Sequence, residues 1–280
     1  MAARRRVGNT SISSGPMQQC MFCMDYFPAN KTLCPSCNKW NIAETITSAN
    51  DGVLLASDVL KNGPLVLERI SIGPYDDCFG KPPGMVKTSV AIIGGAPGAG
   101  KSTMALGVSG IISTLAGRET LYIGAEENPA EITDRAVRIG HPCLDKLAIY
   151  PMGSNVSIEA IVNARQPAAM VLDSLQGLTE DINEQVTICK MLKGVASKAR
   201  IPMIIISQIN KDNDMAGLMA LQHAGDTLIT LFPTGEGELR LMETAKNRFG
   251  PANVKRHLEM TGKGLIGRRD LDDDFEGDDE

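Results

Sequence analysis

The run from Ser89 to Thr103 (SVAIIGGAPGAGKST) narrows the possible folds more than any other part of the chain. An apolar stretch rich in β-branched residues leads straight into Gly95-x-x-x-x-Gly100-Lys101-Ser102, and a helix-like pattern follows. A strand, a glycine-rich turn and a helix in that order are what a phosphate-binding loop requires. The glycines let the backbone curl until successive N–H groups face one point, and the helix N-terminus adds favourable dipole charge for an anion. Gly95, Ala96, Pro97, Gly98, Ala99, Gly100, Lys101, Ser102 and Thr103 are therefore expected to cradle a nucleoside triphosphate. Lys101 should reach the β- and γ-phosphates, the Ser102 hydroxyl should bind Mg²⁺, and Thr103 should support the α-phosphate. The expected ligand is ATP with Mg²⁺.

Around this loop the chain alternates short apolar segments with helical ones, which implies a largely parallel α/β sheet with crossover helices. Strands are expected at 89–93, 120–124, 147–150, 170–173 and 203–207, and helices at 101–115, 129–139, 157–165 and 183–199. Segments 227–232, 238–244 and 255–260 follow without helices between them, so the sheet should end in antiparallel strands. Asp173 closes the apolar strand Ala168–Asp173 and is the expected partner of Ser102 on Mg²⁺. Glu126 and Glu127 follow the strand 120–124, taken to neighbour the P-loop strand. Glu126 is the candidate for orienting or deprotonating water, and Glu127 reads more simply as a helix cap. Gln208, at the end of another strand, is placed to hydrogen-bond the γ-phosphate and report its loss.

Four of the seven cysteines fall in two Cys-x-x-Cys pairs, Cys20/Cys23 and Cys34/Cys37, ten residues apart. Two thiolate knuckles complete a tetrahedral S₄ shell, which is a structural site with no position left for water. Zn²⁺ is the expected ion, and iron shares the same ligand set. The chain then divides into a disordered start (1–17), the Cys₄ module (18–41), a linker (42–66), the nucleotide-binding domain (67–267) and an acidic tail (268–280).

The net charge of −5 is concentrated at the end: eight acids crowd the last eleven residues, while Arg4, Arg5 and Arg6 open the chain. Setting both ends aside leaves 25 basic and 25 acidic residues, so the body is neutral and a nucleic-acid partner is not excluded. Aromatic residues make up 4%, too few for a broad base-stacking platform. No apolar run reaches the length of a membrane helix, and no signal peptide follows the arginines, so no membrane is expected and the chain reads as cytoplasmic.

Taken in order, these residues resemble the bacterial DNA-recombination ATPases of the RadA (Sms) family, RecA-like proteins close to DnaB-type helicases. Cys20 to Cys37 with the trailing Trp40-Asn41 is similar to that family's zinc finger, and Glu68-Arg69-Ile70-Ser71 to its entry into the ATPase domain. Tyr122 to Glu127 with Arg135-Ala136 resembles its catalytic-glutamate segment. Lys246-Asn247-Arg248-Phe249-Gly250 matches its signature pentapeptide, and Glu259 to Leu265 its closing hairpin. Two departures stand out. Gln208 occupies a position usually held by His, and the acidic tail stands where relatives continue into a Lon-protease-like domain, as a short phage form would.

The resemblance implies a RecA-like core and a homo-oligomer, a hexameric ring around single-stranded DNA. It implies that Lys246 and Arg248 act on the neighbouring subunit's γ-phosphate. It also places Lys211 and His223 on a DNA-facing loop from 211 to 224. Alone, Lys246 and Arg248 would read as a solvated strand edge. Two functions fit: a DNA-dependent ATPase motor for single strands and branched recombination intermediates, and a nucleotide-dependent loading factor recruiting a recombinase, helicase or single-strand binding protein.

Overall fold

The computed structural model describes residues 17–19, 26–28, 30–31, 33–36, 45–46, 67–151, 157–208, 220–235 and 237–272. The chain divides into two units, Met1–Val66 and Leu67–Glu280.

In the first unit, β1 (Met17–Gln19) pairs antiparallel with both β2 (Tyr26–Pro28) and β3 (Thr45–Ile46). Thr45–Ile46, inside the stretch read as linker, thus shares a sheet with the cysteine module. Phe27 and Cys34 are buried together, whereas Cys20, Cys23 and Cys37 lie outside the described residues.

The second unit opens with a two-stranded ribbon, β4 (Arg69–Ile70) and β5 (Met85–Val86), around a 3₁₀ turn at Gly73–Phe79. Then come β6 (Val90–Gly95), α1 (Lys101–Ala116), β7 (Thr120–Gly124), α2 (Pro129–Arg138), β8 (Leu147–Pro151), α3 (Ile158–Arg165) and β9 (Ala169–Asp173). They are followed by α4 (Ile182–Ala199), β10 (Met203–Gln208), β11 (Thr227–Pro233), β12 (Leu239–Asn247), β13 (Lys255–Thr261) and β14 (Gly264–Gly267). Nine of these strands form one sheet in the order β14-β13-β12-β11-β6-β10-β9-β7-β8. From β11 to β8 the strands run parallel, and β12 to β14 continue as antiparallel hairpins, as the sequence pattern implies.

One expectation fails. The strand at 120–124 does not neighbour the P-loop strand: β10 and β9 stand between β7 and β6. Sequence order does not reveal this, because crossover helices can carry the chain past a strand position that a later segment fills.

The strict period of two decides the layers. Ala91, Ile93, Tyr122, Val171, Ile204 and Ile206 face one side, against Met104, Leu106, Val108 and Ile112 of α1 and Ile132 and Ala136 of α2. Val90, Ile92, Leu121, Ile123, Met170, Leu172, Met203 and Ile205 face the other, against Val162 of α3 and Cys189, Leu192 and Ala196 of α4. Strands covered on both faces are apolar throughout, and β6 is buried along its whole length. Truncating a side chain such as Ile93 to Ala here would cost about 2–5 kcal/mol.

Helix ends are written locally. Asn128 and Glu131 form a reciprocal capping box on α2, Ser157 caps α3 and Asp181 caps α4. Glu127, read from sequence as a cap, therefore has another role. The first turn of α1 has no side-chain cap and starts at Gly100, whose φ of 104° suits glycine.

Candidate functional site

A cleft of about 370 Å³ lies at the carboxyl ends of the parallel strands, above β6 and the start of α1. Ligands of open α/β sheets settle at this edge. Pro97, Gly98, Gly100, Lys101, Ser102 and Thr103 line it from the loop, and Glu126, Asp173 and Gln208 from the ends of β7, β9 and β10. Register explains the convergence. Gly124 pairs with Asp173, and Gln208 pairs with Gly95, so these strands end at one level. Gly95 and Ala96 lead into the loop, and Ala99 is buried beneath it.

Lys101 is nearly inaccessible and donates from Nζ to the carbonyls of Gly95 and Ala96, both at 2.8 Å. Burial lowers its pKa, opposed by the charges of Asp173 and Glu126. Burial raises the pKa of Asp173, while hydrogen bonds from Tyr122 and Ser102 favour its charged form. The Tyr122 hydroxyl donates to Asp173 Oδ2 from a fully buried ring. The paired oxygens of Ser102 and Asp173 suit a hard, oxygen-seeking cation, so these two residues fit Mg²⁺.

Glu126 is held from two sides. The Ser174 hydroxyl donates to Oε1, and Gln208 Nε2 donates to Oε1 at 3.0 Å and Oε2 at 2.9 Å. Gln176 fixes Gln208 in turn, accepting from its backbone N–H at 2.9 Å and donating to its carbonyl at 3.2 Å. Glu127 also lines the cleft but is committed to a two-pronged ion pair with Arg135 of α2, one contact at 2.6 Å. Burial works against the Arg135 charge, but Glu127 outweighs it and raises the pKa.

Several lining residues were not singled out as site residues in the sequence. Arg135 and Arg138, three apart on α2, face the cleft together, and that spacing is a readable signal. Ser174 and Met260 also line it. Tyr122 and Gln176 carry no such signal, since nothing in a strand or loop pattern reveals a hydrogen-bond partner on another element.

Lys246 and Arg248 lie elsewhere. Thr227 of β11 pairs with both Ala91 of β6 and Asn247 of β12, which puts the pentapeptide at the amino edge of the parallel strands, opposite the cleft. There Lys246 Nζ donates to the carbonyls of Gln222 and, at 3.0 Å, Gly225, and Arg248 pairs with Asp226 at 3.0 Å. His223 is exposed beside them, and Lys211 lies outside the described residues.

A nine-stranded, mostly parallel α/β sheet with this loop and these acids defines the RecA-like class of P-loop nucleotide-binding folds. A KaiC-like protein from Pyrococcus horikoshii shares the fold at a TM-score of 0.61 and 17% identity, covering 73% of this chain and all of that one. Among curated proteins, the DNA repair protein RadA of Pseudomonas aeruginosa is 32% identical over 271 residues, spanning 89% of this chain and 58% of that protein. RadA of Aquifex aeolicus is 30% identical over 257 residues, with 83% and 55% covered. RadA of Bacillus subtilis is 30% identical over 271 residues, with 88% and 58% covered. No protein-family model matches the chain. Over the shared span the chain belongs to the RadA family. It spans somewhat more than half the length of these relatives.

Proposed function

We propose that the protein is a DNA-dependent ATPase that acts as a motor on single-stranded DNA and branched intermediates in DNA repair or recombination. The observation that carries the hydrolytic part is the Glu126–Gln208 contact, at the end of the cleft where Lys101 and Asp173 also converge.

The P-loop N–H groups and Lys101 bind the triphosphate, and Ser102 and Asp173 would hold Mg²⁺. When bound, that ion neutralises charge on the β- and γ-phosphate oxygens. Glu126 orients the attacking water and takes its proton. The carboxamide of Gln208 carries two N–H donors on one nitrogen, and that nitrogen sits against both carboxylate oxygens of Glu126. The two N–H bonds diverge, so one can hold Glu126 while the other meets a phosphate oxygen, and Gln208 thereby couples the γ-phosphate to the base.

Lys246 and Arg248, at the opposite edge from their own cleft, act on a neighbouring subunit's γ-phosphate. Their placement supports a head-to-tail homo-oligomer, with a hexameric ring as its closed form. The loop at 211–224 faces DNA through Lys211 and His223. In the first unit, Cys20, Cys23, Cys34 and Cys37 hold a structural Zn²⁺.

The test is ATP turnover with and without single-stranded DNA, with particle size measured in the same samples. Stimulation by DNA that Lys101→Ala abolishes, in ring-sized particles, is the expected result. Turnover indifferent to DNA, from a protein that binds none, would refute the motor and favour a loading factor.

A further inference from the structure

The carboxylate of Asp226 is almost wholly enclosed, with 4% of its side chain exposed, and four groups converge on the residue. Its Oδ2 accepts from the backbone N–H of Val90, the first residue of the P-loop strand, at 3.0 Å. Its Oδ1 accepts from Lys193 Nζ of α4 at 2.6 Å and from Arg248 Nη1 at 3.0 Å. Its carbonyl accepts from the backbone N–H of Arg248 at 3.0 Å, and its own N–H donates to Val90 O at 2.8 Å. One residue therefore ties β6, α4 and the pentapeptide together.

Among the described residues of this cluster, the one anion, Asp226, faces three cations, Lys193, Lys246 and Arg248. The Arg248 side chain remains 60% exposed, although one of its nitrogens is held. A guanidinium has five N–H donors in a fixed plane, so anchoring one leaves the others aimed outward. A buried charge is retained where it is fully paired, and removing one partner is costly. This arrangement is built to aim a cation, not merely to balance it.

We propose that Asp226 is the positioning residue that aims Arg248 into the neighbouring subunit's nucleotide site, from an anchor on the strand that carries its own P-loop. The proposal rests on the trans-acting reading of Arg248 given above. Because Val90 and Arg248 share one carboxylate, a shift of β6 on nucleotide binding moves the aim of the arginine offered to the next subunit.

The experiment uses full-length Asp226→Asn, which keeps the size and one acceptor oxygen but removes the charge. Turnover should fall about tenfold to a hundredfold with KM for ATP within about threefold, and adding Arg248→Ala should cause little further loss. The decisive measurement mixes Asp226→Asn subunits with Lys101→Ala subunits. The former keep an intact P-loop and the latter an intact Asp226–Arg248 pair, so mixed assemblies should hydrolyse ATP faster than either parent. The same mixture with Arg248→Ala tests the underlying reading. If Arg248→Ala is rescued and Asp226→Asn is not, Asp226 acts only within its own subunit and the proposal falls alone. If neither is rescued, the trans reading fails and takes the proposal with it. Should Asp226→Asn not fold, Arg248→Lys decides. A lysine carries all its donors on one nitrogen, so holding Asp226 keeps its charge at the anchor instead of spreading it outward as a guanidinium does; turnover should match Arg248→Ala, and wild-type turnover would overturn the proposal.

Discussion

The side-chain nitrogen of Gln208 lies between the two carboxylate oxygens of Glu126, 3.0 Å from one and 2.9 Å from the other. Three strand ends take part in this contact: Glu126 follows β7, Gln208 closes β10, and Ser174 donates to Glu126 from just beyond β9.

If Glu126 is the base, Glu126→Gln should lower kcat by about 10²–10⁴ while leaving nucleotide affinity within a few-fold. Glu127 is committed to Arg135, so Glu127→Gln should cost about tenfold or less. Gln208→Ala should retain binding and slow turnover, and should flatten the response to DNA, because the γ-phosphate would no longer be linked to Glu126 through the amide. Steady-state turnover beside nucleotide titration separates the three variants.

The pH profile should report Asp173. Burial raises the pKa of the metal-free carboxylate, so protons compete with Mg²⁺ for it at a higher pH than at an exposed aspartate, and activity at limiting Mg²⁺ should fall there. The sign for stability is opposite. The folded state holds this proton more tightly than the unfolded chain, so the group destabilises the fold above its folded pKa, and that cost is relieved as pH falls through it. Tyr122 donates to the charged form, and removing the donor raises the pKa further. Tyr122→Phe should therefore move the acid limb of ATP turnover to higher pH, and an unmoved limb would show that Asp173 does not set it.

Gly177 sits directly against Glu126, the base of the proposed hydrolysis. A Cβ at this position would lie 2.7 Å from Glu126 Cγ and 2.8 Å from both C and O of Ala125. Backbone atoms cannot give way as a flexible side chain does, so Gly177→Ala must push the β7–α2 turn and Glu126 with it. We expect kcat to fall about tenfold to a hundredfold with nucleotide binding preserved, since about 1 Å of misplacement at a reacting group can cost that much. Turnover unchanged in a variant with wild-type melting would contradict the placement of Glu126.

Much of this site is legible because its parts are local. The P-loop needs strand, glycines and helix in immediate succession, and Asp173 needs only an apolar run ending in an acid. The helix caps Asn128, Ser157 and Asp181 are equally short-range. What the sequence hides is set by neighbours far along the chain. The place of β7 in the sheet depends on β9 and β10, which follow it. The bond from Tyr122 to Asp173 spans 51 residues, and the anchor of Arg248 on Val90 through Asp226 joins segments 136 residues apart. Glu127 shows the same limit at short range. Asn128 is the better cap and already holds the helix terminus, which frees Glu127 for Arg135.

The cysteine module yields the last prediction. Among the described residues of the first unit, the buried apolar cluster consists of Phe27 and Cys34 alone, and β1, β2 and β3 have three, three and two residues. Strands this short order little chain by themselves, and the Zn²⁺ proposed on the four thiols would supply folding free energy for the unit. Elemental analysis of the purified protein should give one zinc per chain, and Cys34→Ser or a strong chelator should remove it. Loss of the ion should abolish the first unit's thermal transition while DNA-independent ATP hydrolysis persists, because every group that lines the P-loop cleft belongs to the second unit. Iron in place of zinc would keep the S₄ geometry and change the ion. A metal-free protein with an intact first-unit transition would show that the four thiols hold nothing.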